Sequence, residues 1–265
     1  MIKKQVRSFL NRFNYDIVKL AYNGSDKYKI NSSIEGLNLY NTPTGKFYLP
    51  AGLKKDIVCN TIQNGNYFEP DVIEVAKQYI KPNTGVLDVG SNYGQMAIFF
   101  SSLVANGVVY AFEAEPFIFK ILTENIKLNN AENIKPVFGA VYNKTGVELV
   151  FPEPDFERFD SYGSYGIDPN AKQGRVVKSI TIDSLNIQEP ISFMKVDIQG
   201  SDLFALQGAK NTILKNKMPI LFEFEEQFQN EFSTSFNDYA LFVQSINYRF
   251  EKIITGINYL IVPND

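Results

Sequence analysis

The chain of 265 residues contains no histidine and no tryptophan, and its one cysteine is Cys59. Histidine is the side chain that most often serves as a general base or a transition-metal ligand. Any base here must therefore be a carboxylate, a lysine, a tyrosine or a metal-bound group. A single cysteine excludes an internal disulfide and is typical of a reducing compartment. We expect Cys59 to be a small buried apolar residue.

Long apolar runs and an excess of positive charge are also missing. The sequence has no uninterrupted apolar stretch of about 18 residues, so it predicts no membrane-spanning helix. Its formal net charge is −3, and no basic stripe indicates a nucleic-acid interface. We therefore expect a cytoplasmic protein that acts on a small-molecule or glycan acceptor and has no nucleic-acid partner.

The first twenty residues carry apolar side chains at helical spacing and basic side chains on the other face. This pattern predicts an amphipathic helix that packs on its own domain. The alternatives are a helix that mediates a homodimer and a helix that lies peripherally at the inner membrane surface. No continuous apolar segment follows the basic residues, so we expect no signal peptide.

Strand and helix patterns alternate from residue 86 onward. They predict an α/β fold with a largely parallel sheet, helices on both faces and a closing antiparallel hairpin over 248–262. We interpret residues 1–80 as an N-terminal extension, made of the amphipathic helix, β-turns and a second helix, which packs on a domain over 81–265. The turn-rich segment 143–178 predicts either a functional loop or a hairpin.

The sequence VLDVGSNYGQ at 86–95 combines a short apolar strand with a turn that holds Gly90 and Gly94. A helix start after such a turn gathers backbone N–H groups at one point, where a nucleotide-like cofactor binds. A dinucleotide fold would have glycine in place of Asp88. An acid there suits a cofactor with an ammonium group and no phosphate, as in S-adenosylmethionine. The next strand ends at Glu113, which can accept hydrogen bonds from ribose hydroxyls. The alternatives are a helix-capping Asp88 and a surface Glu113.

Acids also end the later strands, where parallel sheets bind their ligands. Asp197 closes the predicted fourth strand, and Lys195 shares its face because side chains alternate along a strand. Glu223 and Glu225 follow the fifth strand. We predict Asp197, Lys195 and Glu223 to be catalytic, and a divalent cation between Asp197 and Glu223 is the variant hypothesis. The alternatives are that Asp197 caps a helix and that the two glutamates form a solvated strand end.

Taken together, these segments resemble the FkbM-type methyltransferases. The segments that carry the resemblance are VLDVGSNYG at 86–94, AFEAEP at 111–116, TIDSL at 181–185, KVDIQG at 195–200 and PILFEF at 219–224. The resemblance implies a class I methyltransferase (Rossmann-like) fold with a seven-stranded sheet whose seventh strand is antiparallel. It also implies S-adenosylmethionine as methyl donor and a hydroxyl acceptor, often on a sugar, glycolipid, surface polysaccharide or polyketide. One departure is Gln199, where the family often has glutamate.

The resemblance also implies which residues contact the cofactor. Asp88, Gly90 and Gly94 would hold its methionine end, and Glu113 would hold its ribose. The full set that we expect to bind the cofactor is Asp88, Gly90, Ser91, Asn92, Gly94, Gln95, Glu113 and Ala140.

We expect an O-methyltransferase that acts on a carbohydrate hydroxyl, in a sugar nucleotide or a surface glycan, with Asp197 as general base. The alternatives are a lipid or polyketide hydroxyl, an amino-sugar nitrogen, and a non-catalytic module that only binds a partner.

Overall fold

A computed structural model describes residues 26–30, 36–53, 55–152, 161–162 and 165–264. The amphipathic helix expected within the first twenty residues lies outside the described residues. The strands are β1 Lys29–Ile30, β2 Leu37–Thr42, β3 Gly45–Pro50, β4 Gly85–Val89, β5 Val108–Glu113, β6 Ile134–Phe138, β7 Ala140–Val141, β8 Glu148–Phe151, β9 Arg175–Ile180, β10 Ile191–Val196, β11 Ile220–Glu223, β12 Tyr248–Ile254 and β13 Asn258–Pro263.

Eight α-helices occur in this part of the chain, together with short 3-10 turns at Asp26–Tyr28 and Ile182–Leu185. The α-helices are α1 Ile57–Gln63, α2 Pro70–Tyr79, α3 Gln95–Leu103, α4 Pro116–Leu128, α5 Asp202–Gly208, α6 Lys210–Asn216, α7 Glu226–Phe232 and α8 Phe236–Ser245.

Seven strands form the central sheet, in the order β12-β13-β11-β10-β4-β5-β6. The five strands from β11 to β6 pair in parallel, whereas β13 is antiparallel to both of its neighbours. Every residue of β4, β10 and β11 is buried, as expected for parallel strands covered on both faces. This is the predicted class I methyltransferase fold, and the prediction is confirmed.

Two apolar clusters cover the two faces of this sheet. Leu87 and Met194 belong to one cluster, which includes side chains of α5, α6 and α8. Val86 and Phe193 belong to the other cluster, which includes side chains of α2, α3 and α4. Neighbouring strand residues point to opposite faces, so each continuous apolar strand supplies both clusters. The site therefore stands on a sheet that is packed from both sides.

The N-terminal extension adds a separate three-stranded sheet, β1-β2-β3, and the helix α1. Its buried side chains, among them Phe47, Leu49 and Cys59, share one cluster with Tyr93 and Ile121 of the main domain. Cys59 is fully buried, as expected. The extension is thus packed on the residues that follow β4 and on α4.

Some elements differ from the sequence prediction. The third strand, expected over 134–141, ends at Phe138. Gly139 has φ +146, and Ala140 then pairs with Ser179 of β9 in a small separate sheet. The helix expected over 203–214 is divided at Ala209, because the preceding Gly208 lies against the backbone of Tyr142, where a Cβ atom would approach the carbonyl oxygen to 2.0 Å. Helices α1 and α7 have no counterpart in the sequence prediction.

Candidate active site

A cavity of about 410 Å³ lies at the carboxyl edge of the central sheet. This volume falls within the range of roughly 300–1,000 Å³ that is usual for small-molecule sites. Nine of the predicted site residues line it: Gly90, Ser91, Asn92, Gln95, Glu113, Ala140, Lys195, Asp197 and Glu223. Two predicted residues, Asp88 and Gly94, do not.

The turn after β4 passes very close to the end of β10. Gly90 has φ +85, and a Cβ atom at this position would lie 1.9 Å from the carbonyl oxygen of Asp197. The Asp197 N–H donates to the carbonyl of Val89 over 3.0 Å. The turn is thereby bonded to the residue that we predict to be the base. Gly94 has φ +88 and begins α3, so its requirement for glycine is conformational.

Glu113 lies at the end of β5 and faces the cavity. Its carboxylate accepts backbone N–H groups from Asn92, Ala114 and Glu115 over 2.8–3.0 Å. Burial raises the pKa of Glu113 to about 7, and the three N–H donors oppose this rise. The bond to Asn92 ties the acid to the turn after β4, so both predicted cofactor contacts form one unit.

Asp88 lies beneath the cavity, not on its wall. Its side chain is fully buried, and both carboxylate oxygens have no hydrogen-bond partner in the described part of the chain. Asp88 does not cap a helix, because the N-cap residue of α3 is Gly94. Asp88 is the register partner of Lys195 on β10, and burial raises its pKa. The structure therefore brings Asp88 to Lys195.

Lys195 and Asp197 form a buried ion pair at the end of β10. The Lys195 ammonium donates to Asp197 Oδ2 over 3.0 Å, and 4% of the lysine side chain is exposed. Burial would lower the pKa of Lys195, but the carboxylates of Asp197, Asp88 and Glu69 raise it above its usual value. Burial would raise the pKa of Asp197, but the ammonium holds it below its usual value. Asp197 is thus ionised and partly open to the cavity.

Glu223 stands beside this pair at the end of β11. Gln199 has φ +52, and its amide donates both to Asp197 Oδ1 and to Glu223 Oε2 over 3.2 Å. Burial and the neighbouring acids, Asp197 first, raise the pKa of Glu223 to about 11. Glu223 therefore carries a proton at neutral pH. Gln199 thus connects the two carboxyl groups.

Glu69, which with Tyr67 and Phe68 precedes a predicted helix and was expected to reach the cofactor from the N-terminal side, lines the cavity beside Lys195 and Asp197. Its Oε1 accepts from Asn258 Nδ2 over 2.9 Å. Burial and the carboxylate of Asp197 raise its pKa. Its neighbours in the cavity, Asp197 and Asn258, come 128 and 189 positions later in the sequence, so no local pattern predicts these contacts.

Asp56, which the sequence analysis did not identify, holds three segments together. It is fully buried and accepts from the backbone N–H of Cys59 over 2.8 Å, from the hydroxyl of Tyr93 over 3.1 Å and from the backbone N–H of Tyr162 over 3.2 Å. Tyr93 lies in the turn between β4 and α3, and Tyr162 lines the cavity. Asp56 thus joins the extension, the turn and the cavity wall. The aromatics of the turn-rich segment 143–178 could form a stacking lid over a ligand; of these, Tyr162 and Tyr165 line the cavity, whereas Phe156 and Phe159 lie outside the described residues.

Polar atoms without partners mark the cofactor end of the cavity. Asn92 Oδ1 and Ser161 Oγ are buried and make no hydrogen bond within the described residues. Both residues belong to the cavity wall. Because buried polar groups are nearly always paired, these atoms indicate that a polar ligand completes the site. Together with Glu113, they fit a nucleoside with hydroxyl groups.

The part of the chain that the structure describes shows neither a cluster of metal-binding side chains nor a membrane-spanning helix. No group of three or more histidine, cysteine, aspartate or glutamate side chains there could hold a metal ion. The positive charge that contacts Asp197 is the Lys195 ammonium. Among the same residues, no helix combines the length and apolar character needed to cross a membrane.

Several solved structures resemble this chain. They include a methyltransferase FkbM from Methylobacillus flagellatus KT (16% identity, 77% of this chain, 53% of that chain, TM-score 0.46). They also include an rRNA methylase from Streptococcus thermophilus (10% identity, 74% of this chain, 95% of that chain, TM-score 0.43). A third is M. jannaschii TYW2 in complex with AdoMet (14% identity, 88% of this chain, 87% of that chain, TM-score 0.41). This chain spans about half the length of the first of these. Similarities this low carry no argument about substrate.

No curated protein matches the chain. A family model does match it, over residues 88–250, which is more than half of its length. The matched region contains the turn after β4, Glu113, and the group of Lys195, Asp197 and Glu223. The chain belongs to the family described as the Methyltransferase FkbM domain.

Proposed function

We propose that this protein transfers a methyl group from S-adenosylmethionine to a hydroxyl oxygen of a carbohydrate, in a sugar nucleotide or a surface glycan. One observation carries the proposal: a single cavity joins the buried carboxylate of Glu113 to the ion pair of Lys195 and Asp197. S-adenosylmethionine, when bound, supplies a methyl group activated by its positively charged sulfur.

The residues near Glu113 would hold the nucleoside. The Glu113 carboxylate accepts the two ribose hydroxyls, as acids at this position do in nucleotide-binding folds. Asn92 Oδ1 and Ser161 Oγ offer further polar contacts. Gly139, which follows β6, and Ala140, which begins β7, offer a small apolar surface for the base. Gly90 and Ser91 would face the methionine part of the cofactor.

Asp197 is the proposed general base. Asp197 would take the hydroxyl proton as the acceptor oxygen forms its bond to the methyl carbon, and the donor would leave as an uncharged thioether that keeps the electron pair of the broken carbon–sulfur bond. Lys195 keeps Asp197 ionised and orients it. Because the attacking oxygen gains positive charge as it bonds to carbon, its O–H becomes more acidic, so the proton can leave late and a weak base suffices.

The wall of the cavity favours a polar acceptor. Phe68, Tyr162 and Tyr165 contribute aromatic surface, which can stack on a sugar ring. Carboxyl and amide groups of Gln199, Glu223 and Glu225 can bond hydroxyl groups. Both features favour a carbohydrate over a lipid or polyketide acceptor. The absence of a nucleic-acid partner stays a prediction from the net charge.

The first test is calorimetric titration of the full chain with S-adenosylhomocysteine. We expect micromolar binding that weakens at least about tenfold in Glu113→Ala, because the ribose loses a charged hydrogen-bond partner. The matched control is Glu132→Ala, an exposed acid, which should bind like the wild type. Failure of the wild type to bind would favour a non-catalytic module that only binds a partner.

The second test separates binding from turnover. In Asp197→Asn, we expect unchanged affinity for S-adenosylhomocysteine and a loss of methyl transfer of about 100-fold or more, the usual contribution of a general base. Transfer is measured with radiolabelled methyl donor and a panel of sugar nucleotides. Wild-type rates in this variant would remove Asp197 from the mechanism.

A further inference from the structure

Glu69 belongs to the N-terminal extension and lies outside the matched family region, 88–250. Its carboxyl group nevertheless forms part of the cavity wall together with Lys195, Asp197, Glu223 and Glu225. An acid that reaches the site from outside the matched region is well placed to distinguish acceptors, since it lies apart from the cofactor region around Glu113.

The backbone at Glu69 is held in an uncommon conformation. Its φ is +48, a conformation that residues other than glycine rarely adopt and that persists only where the surroundings enforce it. The side chain does not cap α2. It bonds instead to Asn258, which is buried and pairs in register with Glu223 across β11 and β13. The last strand of the sheet therefore holds Glu69 beside Glu223.

One oxygen of this carboxyl group remains available. Glu69 Oε2 is buried and has no hydrogen-bond partner within the described residues. A buried carboxylate oxygen without a donor is costly. A ligand that brings a donor, and above all a positive charge, would remove this cost.

Charge is unbalanced at this end of the cavity. Besides Glu223, which carries a proton, three carboxyl groups line this end, those of Glu69, Asp197 and Glu225, and the one described cation among them, Lys195, is bonded to Asp197. Burial raises the pKa of both Glu69 and Glu225, and Asp197 raises each further. The sulfonium of the proposed cofactor offsets one negative charge. A second cation, supplied by the acceptor, would complement the rest.

We propose that Glu69 selects an acceptor that carries a protonated amino group near the methylated hydroxyl, as in an amino sugar with a free amine. This inference rests on the proposed function and names its substrate class. An ammonium bound in this way has no free electron pair, so the amine itself is not methylated and the product is the O-methyl amino sugar. The N-acetylated sugar has no charge to offer and is the weaker ligand.

The experiment measures calorimetric binding of sugars to the full chain saturated with S-adenosylhomocysteine. The probes are glucosamine, galactosamine and mannosamine, each paired with its N-acetyl form. The proteins are wild type, Glu69→Gln and the matched control Glu74→Gln, an acid on the exposed side of α2 that pairs with Lys77. Affinity for S-adenosylhomocysteine and the midpoint of thermal unfolding are recorded first for each protein.

In wild type and Glu74→Gln, we expect at least one amine to bind about tenfold or more tightly than its N-acetyl form, a difference of about 1.4 kcal/mol. In Glu69→Gln, this ratio should fall to roughly threefold or less, with cofactor affinity unchanged and a thermal midpoint that is equal to or above that of the wild type. A structural role of Glu69 would lower the midpoint without changing the ratio.

Three results would overturn the inference: equal binding of both forms, no binding of any amine, or a ratio that survives in Glu69→Gln. A wild-type protein that fails to bind S-adenosylhomocysteine fails at the earlier step and counts against the proposed function. The two failures are therefore distinguishable.

Discussion

At the scale of the residue, Gly90 allows the turn after β4 to touch the end of β10. Its backbone conformation, φ +85, is one that side chains disfavour, and the space where a Cβ atom would lie is filled by the Asp197 carbonyl. Two separate causes thus require glycine here. They can be separated experimentally, because Gly52 has φ +86 with nothing within 4 Å of its Cβ position.

We expect Gly90→Ala to be more destabilising than Gly52→Ala. The backbone strain common to both variants costs on the order of 1 kcal/mol, and the clash with Asp197 should add about 1–3 kcal/mol, as for other overpacked sites. Urea unfolding measures the free energy of each variant. Equal losses in the two variants would contradict the close approach of β4 and β10.

Glu113 predicts how cofactor binding depends on pH. Its folded-state pKa of about 7 lies above its usual value, and the ionised form is the stronger acceptor for ribose hydroxyls. Affinity for S-adenosylhomocysteine should therefore rise as pH increases from 6 to 8, by up to roughly tenfold. Titration calorimetry across this range should show a flat, weaker profile for Glu113→Gln. A flat wild-type profile would argue against titration of this group.

The site residues that sequence reasoning found are those at strand ends. Glu113 and Asp197 close continuous apolar strands, and Lys195 shares a strand face with Asp197, so their place at the sheet edge could be predicted. The bond of Glu69 to Asn258 and the bonds of Asp56 could not, because these partners come from distant parts of the chain. The burial of Asp88 behind Lys195 was also missed, since strand register is not written in a single sequence.

At the scale of the element, the hairpin β2–β3 is attached to α4 through side-chain amides. Asn125 is fully buried. It accepts the N–H of Tyr48 over 2.7 Å and donates to the carbonyls of Tyr48 and Tyr93 over 3.1 and 2.9 Å. Asn129, one turn later, makes the same pair of bonds to Lys46 at an exposed position. The same type of attachment thus occurs twice along α4, once at a buried position and once at an exposed one.

This repetition gives a matched pair of variants. Asn125→Ala should lower the free energy of unfolding by about 1–3 kcal/mol, because it leaves buried backbone groups unpaired. Asn129→Ala should cost less than about 1 kcal/mol, since water can replace its bonds. Hydrogen exchange at the Tyr48 amide should accelerate in the first variant. Equal effects would show that the hairpin is not held through Asn125.

Helices and strands were predicted best where an apolar pattern ran without interruption from one turn signal to the next. Strands β4, β5 and β10 are short apolar runs between turn residues, and α4 begins at Pro116 with its cap at Glu115. The errors fall where backbone geometry overrides the pattern. Gly139 ends β6 before Ala140, and the helix expected after residue 202 breaks at Ala209. Such breaks depend on contacts between elements.

At the scale of the whole molecule, burial of carboxyl groups at the sheet edge should set the dependence of stability on pH. Burial raises the folded-state pKa of both Glu113 and Asp202 to about 7, from ordinary values of 4.5 and 3.8. Asp202 is fully buried, and its Oδ1 has no partner among the described residues. Between pH 5 and 7, the folded state therefore holds protons that the unfolded state has lost.

The free energy of unfolding should consequently fall as pH rises from 5 to 7, by up to about 1.4 kcal/mol per pH unit for each group. Asp197, whose pKa is lowered, titrates below this window and does not reverse the sign. Urea unfolding at pH 5, 6 and 7 measures the slope. Asp202→Asn should reduce it and should gain stability relative to wild type at pH 7. A wild-type slope of opposite sign would refute this account.

The position of Phe68 makes the cavity accessible to spectroscopy. Phe68 lies on the cavity wall, and its backbone N–H donates to Gln95 Oε1 over 2.9 Å. Because the chain has no tryptophan, Phe68→Trp would introduce a single indole at this wall. Its fluorescence would come from one known place, free of background from other indoles. Ligand occupancy could then be followed optically in real time, for donor and acceptor separately, without a radioactive label.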